Sequence, residues 1–173
     1  MTELALPKID KKTLDKKDYI FKSLAKLINP EHVLSHKDEI KPYETDGLSA
    51  YKQTPLAVVM PENTEEVSSI LKFCHEENIK VVPRGAGTGL SGGALPLQDA
   101  VLLSLGKFNK ILEIDFENKC VVTQPGVTNL GLTHAVQHKG FYYAPDPSSQ
   151  LACSIGGNVA ENSGGVHSLK YGT

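Results

Sequence analysis

What the sequence lacks narrows it first. No stretch approaches the ~18 consecutive apolar residues of a membrane-spanning helix. The opening residues, MTELALPKIDKK, have no apolar h-region, so a secretory signal is not expected there. No charge of one sign dominates: the formal net charge is −2, and no basic patch is dense enough for nucleic acid or an acidic membrane surface. The one charge-rich stretch alternates Lys8, Lys11, Lys12, Lys16 and Lys17 with Asp10, Asp15 and Asp18, the pattern of a solvated helix face. Cysteine is scarce. Cys74, Cys120 and Cys153 are odd in number, far apart and outside any CxxC or Cys/His ligand spacing. A disulfide framework and a zinc site are therefore not expected, and a reducing, cytoplasmic compartment is. Internal repeats and low-complexity tracts are missing too. What remains is 173 residues, 40% apolar and 22% charged, which suits one soluble domain with a sizeable core.

Along the chain, Ile20, Leu24, Leu27 and Ile28 form a helical stripe over Asp18–Asn29, stopped by Pro30. The polar stretch Val33–Thr54 reads as a loop before the main fold. From Pro55 the rhythm changes. Leu56–Pro61 is a short strand, and Asn63 with Glu66 spells a capping box. Val67, Ile70, Leu71 and Cys74 follow at helical spacing towards Asn78, and Lys80–Pro83 is a second strand. Beyond the next loop, Ala100–Leu105 reads as a buried strand. ILEIDFE and CVVTQPG flank Asn118-Lys119 as a hairpin. Thr128 or Asn129 caps a helix through His138, and Gly140 ends it.

Between the second and third strands lies VVPRGAGTGLSGG, and Gly87-Thr88-Gly89-Leu90-Ser91-Gly92 matches GxGxxG. A dinucleotide-binding Rossmann unit needs a helix directly after the glycines and an acidic residue ~20 residues on. Glu113 and Asp115 meet the distance. The helix is missing, because Gly93-Ala94-Leu95-Pro96 cannot supply one and the chain re-enters a strand at Val101. A P-loop fails too, since no Gly-Lys-Ser/Thr closes the segment. Glycine density still has a use: without Cβ atoms, backbone N–H groups can converge on one anion. Gly85 to Gly92 would present such a row, with Thr88 and Ser91 adding hydroxyls, which suits a diphosphate. The competing reading, a flexible linker, is disfavoured between two apolar strands.

A second segment, SIGGNVAENSGG, packs Gly156, Gly157, Gly164 and Gly165 among small polar residues. Asn158 and Asn162 would share one side if it is helical. Asp146, between Pro145 and Pro147, sits in a stiff extended turn.

PRGAGTGLSGGALPL, QPGV, YYAPDPSS and CSIGGNVAENSGGVHSLKYG together resemble the FAD-binding domain of the vanillyl-alcohol-oxidase/PCMH superfamily, in its glycolate oxidase and D-lactate dehydrogenase branch. The resemblance covers Tyr43 to Thr173. It implies an α+β, PCMH-type FAD-binding domain over 43–173, truncated before its C-terminal part, preceded by a helical extension over 1–42. It implies cofactor contacts from Pro83, Arg84, Gly85, Ala86, Gly87, Thr88, Gly89, Leu90, Ser91 and Gly92 around the diphosphate. Pro145, Asp146, Pro147, Ser148, Ser149, Cys153, Gly156, Gly157, Asn158, Glu161, Asn162, Gly164 and Gly165 would lie along the flavin and ribityl chain. Thr88 stands where some relatives carry a flavin-linking histidine, so the implied FAD is noncovalent.

The implied reaction oxidises a 2-hydroxy acid, glycolate or D-lactate, by hydride transfer to FAD. The implied partners are further glycolate oxidase subunits, one with a flavin domain and one with iron–sulfur centres, through which the protein would sit peripherally at the inner membrane. The chain is expected to be the front portion of a longer protein, inactive alone. The other reading is a non-catalytic remnant that binds flavin or a partner. No catalytic residue is assigned and no metal is expected. His134 and His138 lie one helical turn apart and read as a solvated face rather than a metal pair. For His167 a structural role is favoured over one beside the flavin. His32, His36 and His75 have no evident partners. Tyr142 and Tyr143 read as core rather than flavin-side packing.

Overall fold

The computed structural model describes residues 7–172; the first residues of the segment read for a secretory signal, and Thr173, lie outside them. Helix α1 (Lys11–Asp15) starts at Asp10, whose side chain accepts from the Lys12 N–H. Helix α2 (Lys17–Leu27) buries Ile20 and Leu24 completely. The helix ends before the expected Asn29, because Ile28 is already extended, yet its side chain stays buried. Pro30 opens a 3-10 turn, Pro30–His32, a position where its missing N–H costs nothing. The stretch expected to be a loop holds strand β1 (Val33–Leu34), helix α3 (Lys37–Ile40) and a 3-10 turn, Lys41–Tyr43. A two-residue strand has no periodicity to read. It exists because Val33 and Leu34 pair with Val59 and Val58.

Strand β2 (Ala57–Val59), helix α4 (Thr64–Glu76), strand β3 (Lys80–Arg84) and strand β4 (Ala100–Ser104) follow. Asn63 caps α4 as expected, accepting from the Glu66 N–H at 2.8 Å. The return bond of the box is displaced by one residue: Glu66 accepts from the Glu62 N–H, not from Asn63. The sheet order is β1-β2-β4-β3, with β2, β4 and β3 mutually parallel. Every residue of β4 is buried, as a central parallel strand requires. Alternation sends Val101 and Leu103 towards Ile20, Leu24, Ile70 and Cys74, and Leu102 towards Val58 and Ile40. α2 thus shares its core with the strand–helix–strand unit. The parallel arrangement brings the carboxyl ends of β3 and β4 to one sheet edge, where open α/β sheets bind ligands. The glycine loop leaves β3 at that edge.

Asp99, just before β4, fixes the opposite edge. Its carboxylate is 3% exposed, lies 2.7 Å from the Lys80 ammonium and accepts from the Asp10 N–H. Burial pushes the carboxyl up, but the Lys80 and Asp10 hydrogen bonds together hold it below its ordinary value. That stabilisation is therefore present above the ordinary carboxylate range and is lost as pH falls through the folded value. Asp99→Ala is expected to cost about 1–2 kcal/mol at neutral pH, limited by the partly solvated Lys80, and to flatten the stability profile below about pH 4. Urea melts across that range check it.

The second layer begins with the hairpin β5 (Ile111–Asp115) and β6 (Cys120–Thr123), which turns through Lys119 at φ +56° and is bulged between Ile111 and Glu113. Glu113 and Asp115 are strand residues of this hairpin, away from any Rossmann geometry. Helix α5 (Asn129–Val136) is capped by Thr128 and tightens into a 3-10 turn, Gln137–Lys139, before Gly140 stops it in a left-handed conformation. Helices α6 (Ile155–Glu161) and α7 (Ser168–Tyr171) complete the described chain.

Candidate functional site

A cavity of about 510 Å³ opens between the loop after β3 and helix α6. Of the residues expected to bind cofactor, Pro83, Arg84, Gly85, Ala86, Gly87, Thr88, Gly89 and Leu90 line one wall. Ser149, Cys153, Gly156, Gly157, Asn158 and Glu161 line the other. Two glycine segments far apart in sequence thus face one space. The loop contains no helix, so the failed Rossmann context holds in three dimensions. The structure adds Gly93, Ala94, Leu105, Pro125, Ser154, Ala160 and Ser163. Leu105 directly follows β4, so the sheet-edge rule was the signal that could have found it.

The remaining expected residues lie outside this lining. Ser91 is adjacent, its hydroxyl donating to Glu161 Oε2 at 3.2 Å, and Gly92 turns the loop at φ +79°. The Pro145 carbonyl accepts from Asn129 Nδ2, Pro147 is buried and Ser148 exposed. Asn162 leaves α6 in a left-handed conformation, so it does not share a helix face with Asn158. Gly164 and Gly165 follow in irregular backbone, and Gly165 packs so closely on the Asp146 carbonyl that no Cβ would fit. Asp146 pairs with His167 Nδ1 at 2.8 Å, tying the proline turn to the end of the second glycine segment. Tyr142 and Tyr143 line a separate cavity of about 240 Å³ with Phe116 and Phe141, beside the hairpin. Burial pushes the Tyr143 phenol up.

His138 packs edge-on against Phe116, beyond the end of α5. Among the described residues, no three His, Cys, Asp or Glu side chains gather as a metal-ligand set. His32 has the partner its sequence context did not reveal, Glu62 at 3.8 Å, and exposed His36 has Asp38 at 3.8 Å.

Three features of the cavity ask for a polar ligand. Among the described residues, the backbone N–H groups from Gly85 to Gly93 have no hydrogen-bond acceptor in the protein. They form a row of free donors. Helix α6 offers less: its Ile155, Gly156 and Gly157 N–H groups are taken by the Val127 carbonyl, the Pro125 carbonyl and Ser154 Oγ. On the other wall, Asn158 is 4% exposed, and both its Nδ2 and its Oδ1 lack a protein partner among the described residues. Buried amides are rarely left so, which marks a place for a ligand's donor and acceptor. Finally, Gly87 adopts φ +73°, and a Cβ there would strike the Arg84 guanidinium. The Arg84 Nη1 donates to the Thr45 carbonyl at 2.7 Å. Burial lowers the guanidinium pKa, opposed by nearby Asp46 and Tyr43.

Comparison with known proteins decides the ligand. The FAD binding domain family matches residues 55–173. The chain belongs to that family. It is 52% identical to the glycolate oxidase subunit GlcD of Escherichia coli over 97% of this chain and 32% of that one. It is 38% identical to the D-lactate dehydrogenase of Anaerostipes hadrus over 99% of this chain and 34% of that one. The fold is that of p-cresol methylhydroxylase, with a TM-score of 0.73 at 24% identity, covering 87% of this chain and 30% of that structure. The chain therefore spans about a third of the length of the curated relatives it matches. The donor row and the free Asn158 amide fit FAD: a diphosphate takes N–H donors, and the rest of the cofactor offers hydroxyls and ring heteroatoms to an amide.

Proposed function

We propose that this chain is the N-terminal FAD-binding part of a flavin-dependent oxidoreductase that converts a small 2-hydroxy acid, glycolate or D-lactate, to the 2-oxo acid. The observation that carries the reading is that the loop with the row of free N–H groups and the unpaired Asn158 line one cavity. Bound FAD supplies the hydride acceptor for the substrate Cα–H. The chain's own residues hold and orient that cofactor. Gly85–Gly93 neutralise the diphosphate through N–H dipoles, with Arg84 the cation of the loop. Asn158 fixes a polar group on the opposite wall. Asp146, Gly164 and Gly165 shape the turn behind α6. Residues 43–173 make up the FAD-binding unit, and 1–42 form the extension whose α2 covers one sheet face.

The chain spans about a third of its relatives' length; on this reading the groups that remove the hydroxyl proton lie in the remainder, and this chain alone binds flavin without turnover. Further subunits, one with a second flavin domain and one with iron–sulfur centres, complete the assembly and tie it peripherally to the inner membrane from the cytoplasmic side. The name of GlcD as a subunit supports an assembly. Among the described residues, no helix is long and apolar enough to cross a membrane.

Purified chain mixed with FAD should show protein-bound flavin bands, and acid precipitation should release all of the flavin, because Thr88 offers no covalent link. Glycolate and D-lactate should leave that flavin oxidised, and the same segment joined to the rest of the relatives' length should be reduced. Flavin retained in the pellet would overturn the noncovalent reading. Absence of reduction in the longer chain would leave the non-catalytic alternative standing.

A further inference from the structure

The glycine loop makes few hydrogen bonds of its own, yet it has one defined course. Its shape comes from a segment some forty residues earlier, outside the matched family region. Thr45, Asp46 and Gly47 touch the loop at its start, end and middle. The Thr45 carbonyl accepts from Arg84 Nη1 at 2.7 Å, where the loop begins. Asp46 is 5% exposed, and its carboxylate accepts from the Ala94 N–H at 3.3 Å, where the loop ends. Its other oxygen takes the Leu48 N–H at 2.9 Å, which turns the segment back on itself. Gly47 lies against the loop's middle: a Cβ there would stand 2.6 Å from the Gly89 carbonyl oxygen and 2.7 Å from that of Thr88. Beneath the start, the Arg84 guanidinium sits 5.7 Å from the Tyr43 ring centroid.

We infer that Asp46 is a positioning residue for the cofactor's diphosphate: with Gly47 it fixes the loop so that the Gly85–Gly93 N–H groups are aimed before FAD arrives. The inference rests on the FAD reading of the cavity. Preorganised donors bind an anion without the ordering cost that a slack loop would pay on binding. The Thr88 and Gly89 carbonyls lie against Gly47, so holding those peptide planes also sets the direction of the N–H groups they carry. Asp46 touches no ligand; it works through the loop.

The test is Asp46→Asn, which keeps the size and one acceptor but turns an NH₂ towards one of the two N–H groups. Two readouts are needed: backbone amide order parameters of the chain without FAD by nuclear magnetic resonance, and the FAD dissociation constant by fluorescence titration. The order parameters should fall across 85–94 while those of 100–104 in β4 stay high, and the FAD dissociation constant should rise about tenfold or more. If Asp46→Asn fails to fold, Gly47→Ala gives the same two readouts by pushing the loop at its middle. Unchanged order parameters at 85–94 in a folded variant overturn the inference, as does a uniform fall along the chain with Gly47→Ala neutral for FAD. A fall confined to 85–94 with no FAD binding even by the parent chain supports the brace and overturns the FAD reading, so the two failures are distinguishable.

Discussion

Gly87→Val is expected to abolish FAD retention. At φ +73° an L residue is strained, and a β-branched one most of all. The strain alone costs about 1–2 kcal/mol, and it is compounded by the Cβ striking the Arg84 guanidinium. That guanidinium cannot simply swing away, because the Thr45 carbonyl holds it. The loop must therefore move, and its N–H groups cease to converge. The variant should keep its sheet, since the loop buries none of the core residues around β4. Gel filtration after incubation with FAD should give a flavin-to-protein ratio near zero, with an apoprotein that still melts cooperatively, about 2–8 °C below the parent. Stoichiometric flavin on this variant would remove the diphosphate from the loop.

Asn158→Leu is expected to move stability and binding in opposite directions. Asn158 buries a donor and an acceptor that no protein group among the described residues pairs. Each such group costs about 1–3 kcal/mol, and an apolar side chain of similar size relieves the cost. The apoprotein should therefore gain about 1–2 kcal/mol, a rise in melting temperature of roughly 2–8 °C for a domain of this length. The same change strips the cavity wall of the amide that would pair with the cofactor, so FAD affinity should fall about ten- to a hundredfold. Paired thermal melts with and without FAD check both halves. A variant that loses apoprotein stability would show that Asn158 serves the fold rather than the ligand.

The parts of the molecule that depend on neighbours in sequence were legible in it. The Asn63 cap, the α4 stripe, the strands at 80–84 and 100–104 and the Gly140 stop are local matters of capping, periodicity and backbone freedom. The rejection of a Rossmann helix after Gly92 was local too, because Pro96 and the glycines before it decide it. What was hidden depends on partners far along the chain. Val33–Thr54 looks polar and irregular, but its strand is made by Val58 and Val59, and its Asp46 is buried by a loop that begins at Arg84. Asn158 and Asn162 looked like a helical pair, and only the left-handed exit at Asn162 separates them. Contributions to the cavity from Leu105 and Pro125 come from the sheet edge meeting the second layer, which no spacing encodes.

On this reading the free N–H row and the Asn158 amide together receive FAD. Titration of isotopically labelled chain with FAD, followed by amide nuclear magnetic resonance, tests it residue by residue. The backbone signals of Gly85, Gly87, Gly89, Gly92 and Gly93 and the side-chain amide of Asn158 should shift together and saturate at one equivalent, while Phe116 and Tyr143 beside the hairpin stay in place. Shifts confined to the hairpin cavity, with the glycine loop silent, would contradict the account.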